Sequence, residues 1–268
     1  MKTPALFILS IAFITGCATT PQSLSTDVDT HGSGREYILW SHPDTMYEFV
    51  TAHTPTIWFE GYDKYIERQD TNNLEAFQAA GIRPLVWRGG RNKVEIYDAP
   101  SQLANYWLEF QDVPGIGISI DELGGNDRQK NQFTADALRL LHDRNPDFPV
   151  YVWNAGLFKQ PLIDAFAETN AIPLLEIYTS NTRFLWATFG IQLRRAEDAG
   201  ILDKTIIALA IETASIREDR WSYSMDIIQT QMDWVLRHFP EVGGFAFFAP
   251  RADRELLMEL NEYILSLE

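Results

Sequence analysis

Two adjacent carboxylates, Asp121 and Glu122, close the run Gly115-Ile116-Gly117-Ile118-Ser119-Ile120, and a Gly-Gly turn follows at Gly124-Gly125. Another acid, Glu212, closes Ile207-Ala208-Leu209-Ala210-Ile211, while Glu60 follows Trp58-Phe59 and Glu176 follows Leu174-Leu175. In the two longer runs branched apolar residues alternate with small ones, the period-two signature of a strand with two unlike faces. The alternation assigns Ala208, Ala210 and Glu212 to one face, Leu174, Glu176 and Tyr178 to one face, and Gly117, Ser119 and Asp121 to a crowded one. Carboxylates gathered at one place raise one another's pKa, because each resists becoming the second negative charge. One member then keeps a proton to give to a leaving oxygen while another stays ionised as nucleophile or base. A lone acid at a strand end also serves as a cap or an ion-pair partner, so the chemistry depends on the acids meeting.

What would bring them together is a regular succession of strands and helices. Strands are expected at Tyr37–Trp40, Thr56–Glu60, Arg83–Arg88, Gly115–Asp121, Val150–Asn154, Pro173–Tyr178, Thr205–Glu212 and Gly244–Phe248. Helices follow at Asp44–His53, Thr71–Ala80, Ser101–Phe110, Gln129–Asn145, Lys159–Thr169, Phe184–Ala199, Ser222–Phe239 and Asp253–Leu267. Eight such pairs in one chain point to a single closed (β/α)8 barrel. Helix-to-strand turns are short and carry glycine, as at Ala80-Gly81-Ile82 and Ala199-Gly200-Ile201. Strand-to-helix loops are longer and polar, notably Gly89–Pro100, Leu123–Arg128, Ser180–Arg183 and Thr213–Arg220. The face carrying those loops is where such a scaffold places function. Glu60, Asp121, Glu176 and Glu212 are expected on its rim, with Arg88 and Asn154 beside them.

Asp121-Glu122 at the end of the fourth strand and Ile211-Glu212-Thr213 at the end of the seventh resemble the large clan of retaining glycoside hydrolases built on (β/α)8 barrels. Those enzymes end strand four in Asn-Glu, with the glutamate as acid/base, and strand seven in a nucleophilic glutamate. The resemblance implies Glu122 as acid/base and Glu212 as nucleophile, with Asp121 at the asparagine's place. A looser similarity, carried by Gly115–Glu122, Glu176-Ile177-Tyr178 and Gly243–Phe248, is to chitinase-like barrels. It implies Asp121 or Glu122 as the acid and Tyr178 supporting a substrate-assisted path, with Gly117 and Ser119 where that family has further acids.

Sugars present C–H faces that pack on aromatic rings, and Trp40, Tyr62, Trp87, Trp153, Tyr178, Trp221 and Phe248 all fall at or just past strand ends. Trp40, Tyr178 and Trp221 are the aromatic candidates for substrate contact, and His42 is a hydrogen-bonding one; large aromatics also fill cores. Arg88, Arg91 and Lys93 suit an oxyanion or simply meet solvent. The histidines form no zinc spacing, no GxSxG turn supports a serine nucleophile, and no glycine-rich phosphate motif occurs.

The 268 residues are 46% hydrophobic and carry a formal charge of −15. That balance speaks against nucleic-acid binding, which rests on neutralising phosphates. Residues 1–16 read as a signal segment: Lys2, an apolar run from Ala5 to Ile14, and Ile14-Thr15-Gly16-Cys17. The tetrapeptide resembles the bacterial lipoprotein box, implying lipidation of Cys17 and, with Ala18 next, anchoring to the outer membrane. Cys17 is the only cysteine, so no intrachain disulfide forms. Residues 17–34 read as a flexible tether and 35–268 as the catalytic barrel.

The sequence therefore points to a membrane-anchored glycosidase acting on a polysaccharide or oligosaccharide without a cofactor. A divalent-metal barrel enzyme using Glu60, Asp121, Glu176 and Glu212 as oxygen donors, and a non-catalytic glycan-binding lipoprotein, are the alternatives.

Overall fold

The structure is a computed structural model that describes residues 35–41, 56–59, 83–124, 126–155, 158–176, 178, 186–212, 224–251 and 254–267. The expected signal segment, Cys17 and tether, and the helices expected at Asp44–His53 and Thr71–Ala80, lie outside the described residues.

Eight parallel strands pair in chain order and the eighth pairs with the first, closing the sheet into a barrel. They are β1 (Glu36–Ser41), β2 (Thr56–Phe59), β3 (Arg83–Gly89), β4 (Gly117–Gly124), β5 (Val150–Ala155), β6 (Ile172–Glu176), β7 (Ile206–Glu212) and β8 (Gly244–Arg251). The closing seam depends on glycine. A Cβ at Gly244 would stand 1.8 Å from the Glu36 carbonyl oxygen, and the Glu36 amide donates to Gly243 at 2.8 Å. Any larger residue at 244 would push β8 off β1.

Around the sheet lie α1 (Arg91–Val94), α2 (Pro100–Trp107), α3 (Arg128–Arg144), α4 (Gln160–Glu168), α5 (Ile191–Asp198), α6 (Met225–His238) and α7 (Arg254–Ser266). The longest, α3, shows why they form. Asp127 caps it by accepting the amides of Gln129 and Lys130 at 2.9 and 3.1 Å, satisfying donors that the helix cannot. Thr134, Ala135, Leu138 and Leu141 then fall on one buried face at helical spacing. His142 and Arg144 put positive or polar groups at its carbonyl end before Asn145-Pro146 stops it.

Two apolar layers follow from strand alternation. Ile38, Leu85, Tyr151, Trp153, Leu174, Ile206, Ala208 and Ala246 fill the barrel, and Leu39, Val86, Ile118, Ile120, Val152, Leu175, Ile207 and Phe247 pack outward against the helices. The split agrees with the faces expected for Leu174, Leu175, Ile207 and Ala208.

Strand parity corrects one expectation and refines another. On β3, Leu85 and Trp87 belong to the inner layer, so Arg88 turns outward; it is 6% exposed and lies against α2. On β5, Tyr151 and Trp153 take the inner positions, which leaves Asn154 buried in the outer register with Val150 and Val152. Arg88 thus stands with α2, held by the Tyr106 carbonyl and Glu109, and not beside the rim acids, while Asn154 is in register with Leu123, next to the acid pair along β4.

Candidate active site

The carboxyl ends of the strands carry the acids, and β4 delivers its pair by a backbone irregularity. Ile120 is in register with Val152 and Leu123 with Asn154, so two residues of β4 face one residue of β5, Trp153. Ile120 and Leu123 both pack in the outer layer. Asp121 and Glu122 thus share the single place between two outward anchors, which is what a β-bulge does: it adds a residue and re-aims the chain. Asp121 is half-buried, and the side chain of Glu122 lies outside the described residues.

Below the bulge the inner layer is fixed. The Trp153 indole N–H donates to the Ser119 hydroxyl at 2.8 Å, satisfying a buried donor and joining β5 to β4 inside the barrel. Gly117, the preceding inner position, has no room for a side chain, since a Cβ would meet Leu85 and Pro149 at 2.9 Å. The bulge of β4 therefore follows a stretch whose inner side is indole and small residues.

A second irregularity sits across the mouth. Ala210 is in register with Phe248 and Glu212 with Arg251, so β8 contains one residue more than β7 over that stretch. The extra residue falls at Ala249-Pro250, where a proline, having no amide to give, is tolerated in a strand. Glu212 ends β7 as expected, three strands around the barrel from the β4 bulge. Its side chain, like that of Arg251, lies outside the described residues.

Beside the second irregularity runs an aromatic row. Phe248 of β8 stacks on Trp40 of β1 with centroids 4.3 Å apart and planes at 14°, and on Tyr178, just past β6, at 5.8 Å and 25°. All three are half-buried and border the inner layer. Glu176, half-buried, ends β6 two residues before Tyr178. The structure thus brings Asp121, Glu176, Tyr178 and Trp40 to the same end of the barrel, with the backbones of Glu122 and Glu212. Glu60, His42 and Trp221 lie outside the described residues.

Two pairings were not evident from sequence. Ser119 and Trp153 form a bonded pair only once β4 and β5 are aligned. Arg251 enters register with Glu212 because β8 continues to Arg251 through Pro250, where a strand was expected to stop at Phe248. The signal available was the apolar Phe245–Ala249 stretch running directly into Pro250-Arg251.

No protein-family model and no curated protein matches the chain. Solved structures do. The endo-beta-N-acetylglucosaminidase from Cordyceps militaris, a double mutant in complex with fucosyl-N-acetylglucosamine-Asn, superposes with a TM-score of 0.59 at 10% identity, covering 88% of this chain and 91% of that one. Active domain 2 of the thermostable chitinase from Pyrococcus furiosus gives 0.59 at 12% identity, over 87% and 95%. A GH5 cellulase from an Icelandic hot spring isolate gives 0.54 at 10% identity, over 80% and 74%. At these identities the likeness is one of fold, an α/β barrel of parallel strands.

Proposed function

We propose that the chain is a glycoside hydrolase whose residues 35–268 form one catalytic (β/α)8 domain. Glu122 is the acid/base and Glu212 the nucleophile. In the first step the Glu212 carboxylate bonds to the anomeric carbon, the glycosidic C–O bond breaks, and Glu122 gives its proton to the leaving oxygen. In the second, Glu122 takes a proton from water, whose oxygen bonds to the anomeric carbon as the Glu212 ester breaks. Asp121, Glu176 and Tyr178 orient the sugar, Trp40 and Trp221 pack on its C–H faces, and Glu60 and His42 hydrogen-bond its hydroxyls.

The observation that supports this reading best is the β4 bulge. It sets a carboxylate pair at the carboxyl end of the fourth strand, opposite a strand that ends in Glu212. An extra residue in a strand disrupts its ladder, and such disruptions concentrate where a side chain must be re-aimed beside an active site. The folds of a chitinase, an endo-beta-N-acetylglucosaminidase and a cellulase add weight, since all three named enzymes act on glycans.

Tyr178, held at the mouth by Phe248, favours a second reading: substrate-assisted cleavage in which Asp121 or Glu122 is the acid and a group of the substrate, not Glu212, attacks the anomeric carbon. One experiment separates the two. Purified protein and its E122Q and E212Q variants are assayed on a polysaccharide panel with reducing-end release as readout. Loss of turnover in both variants, with unchanged thermal unfolding, supports the carboxylate pair. Loss in E122Q alone, or in neither variant, defeats the carboxylate pair and supports the substrate-assisted path with Glu122 or Asp121 as its acid, and no release by the unaltered protein defeats both.

Residues 1–16 are proposed to direct export, and Cys17, lipidated, to hold the barrel at the outer membrane through the 17–34 tether. Replacing Cys17 with Ser and following the protein from membrane to soluble fraction tests this.

A further inference from the structure

The end of β3 is gripped from outside the barrel by α2. The Gly89 amide donates to the Tyr106 hydroxyl at 3.4 Å, and the Trp107 indole N–H donates to the Gly89 carbonyl at 3.3 Å. Beneath them the Arg88 guanidinium lies 3.9 Å from the Tyr106 ring centre and 4.7 Å from that of Phe110. It donates to the Tyr106 carbonyl at 2.6 Å and to the Glu109 carboxylate.

The grip leads to the acid pair through two residues of backbone. Gly89 is the register partner of Asp121. Gly90 passes so close to β4 that a Cβ there would stand 1.9 Å from the Asp121 carbonyl oxygen and 2.6 Å from Leu123, the residue that closes the bulge. On its other side the Gly90 carbonyl accepts the amides of Lys93 and Val94 at 2.9 and 3.2 Å. Gly90 therefore lies closely packed between α1 and the bulge, so that a shift of the β3 end bears on Asp121.

We infer that Tyr106 and Trp107, backed by Arg88, are positioning residues that set where the Asp121-Glu122 bulge stands. The inference rests on the glycosidase reading for its catalytic consequence. Both bonds to Gly89 come from side chains of a helix that has no part in the mouth, so they hold the strand end without occupying the cavity. Displacing a reacting group by about 1 Å costs on the order of a hundredfold in turnover, because the attack geometry is lost while substrate contacts elsewhere persist.

The test uses Y106F and W107F, which remove the hydrogen-bonding groups and keep most of the packing, with L260V on α7 as a control lowering the melting temperature away from this region. Two readouts are taken: kcat and KM on the cleaved polysaccharide, and hydrogen exchange of amides 121–124. The expected result is a fall in kcat of about tenfold or more with KM within about twofold, and faster exchange at 121–124. L260V shows neither. If Y106F and W107F match L260V in both readouts, the positioning role is wrong. E122Q and the unaltered protein run in the same assay: wild-type turnover in E122Q would overturn the role of Glu122, and no turnover by the unaltered protein would overturn the glycosidase reading instead. Exchange needs no substrate and decides by itself whether α2 sets the bulge.

Discussion

Tyr151 of β5 donates its phenolic hydrogen to the carboxylate of Glu36 on β1, four strands away around the barrel. Arg83 of β3 donates to the same phenolic oxygen at 3.1 Å. One fully buried side chain thus braces three strands from inside, at the end opposite the acids. Y151F keeps the ring and deletes the hydroxyl, leaving Glu36 and Arg83 each short of a partner. The expected loss is about 1–3 kcal/mol, the usual cost of leaving such groups unmet, read from urea unfolding. Activity at temperatures well below the transition should be unchanged, because the brace is remote from the mouth.

The same tyrosine makes stability depend on pH. Burial, and then the nearby Glu36 charge, hold its phenol well above the ordinary range. A folded-state value above the unfolded one means that this group's contribution is fully present below the unfolded-chain value of about 10 and is lost as pH rises beyond it. The stability difference between wild type and Y151F should therefore shrink above about pH 10, by up to about 1.4 kcal/mol per pH unit. Comparing the pair is essential, since Tyr263, raised by burial and by its bond to Asp233, titrates anomalously in both proteins. A difference that stays constant between about pH 8 and about pH 11.5 would contradict the assignment.

Why the faces of β6 and β7 could be read from sequence, and those of β3 and β5 could not, follows from what alternates. In Ile207-Ala208-Leu209 the small Ala208 marks the inside, so parity is visible there, but Ala210, expected inside as well, joins the outer cluster where the β7–β8 register shifts. In Leu85-Val86-Trp87-Arg88 both faces are apolar up to the last residue, because a barrel strand is covered on both sides. Arg88 then looks like a rim residue although its guanidinium is spent on α2. The outward register of Asn154 was hidden for the same reason beside Val152 and Trp153. The bulges were hidden more deeply, because an extra residue is defined only against a neighbouring strand far away in sequence.

Gly90→Ala tests the contact between β3 and the bulge directly. Its Cβ would lie 1.9 Å from the Asp121 carbonyl oxygen, a separation that only backbone movement relieves. Forcing extra volume into packed structure costs about 1–3 kcal/mol. The variant should fold with a lowered melting temperature and lose turnover by about tenfold or more, since the displaced residue is half of the acid pair. Full activity would mean that the bulge absorbs the shift and that its position is not critical.

Phe248 is the place to test whether the aromatic row meets substrate. Its ring lies against both Trp40 and Tyr178, at 4.3 and 5.8 Å, so it orders the two residues proposed to touch sugar. F248L preserves apolar volume and removes the flat surfaces, forfeiting about 0.5–1.5 kcal/mol for each stacked pair. If the row binds sugar, the disordered rings raise KM by about five- to tenfold, corresponding to about 1–1.4 kcal/mol of lost binding, while kcat changes less. E122Q should show the reverse, lost kcat with KM retained, because a proton donor acts in the transition state. Should F248L instead lower kcat at constant KM, the row shapes the acids and does not bind the sugar, and the contact roles of Trp40 and Tyr178 would have to be given up.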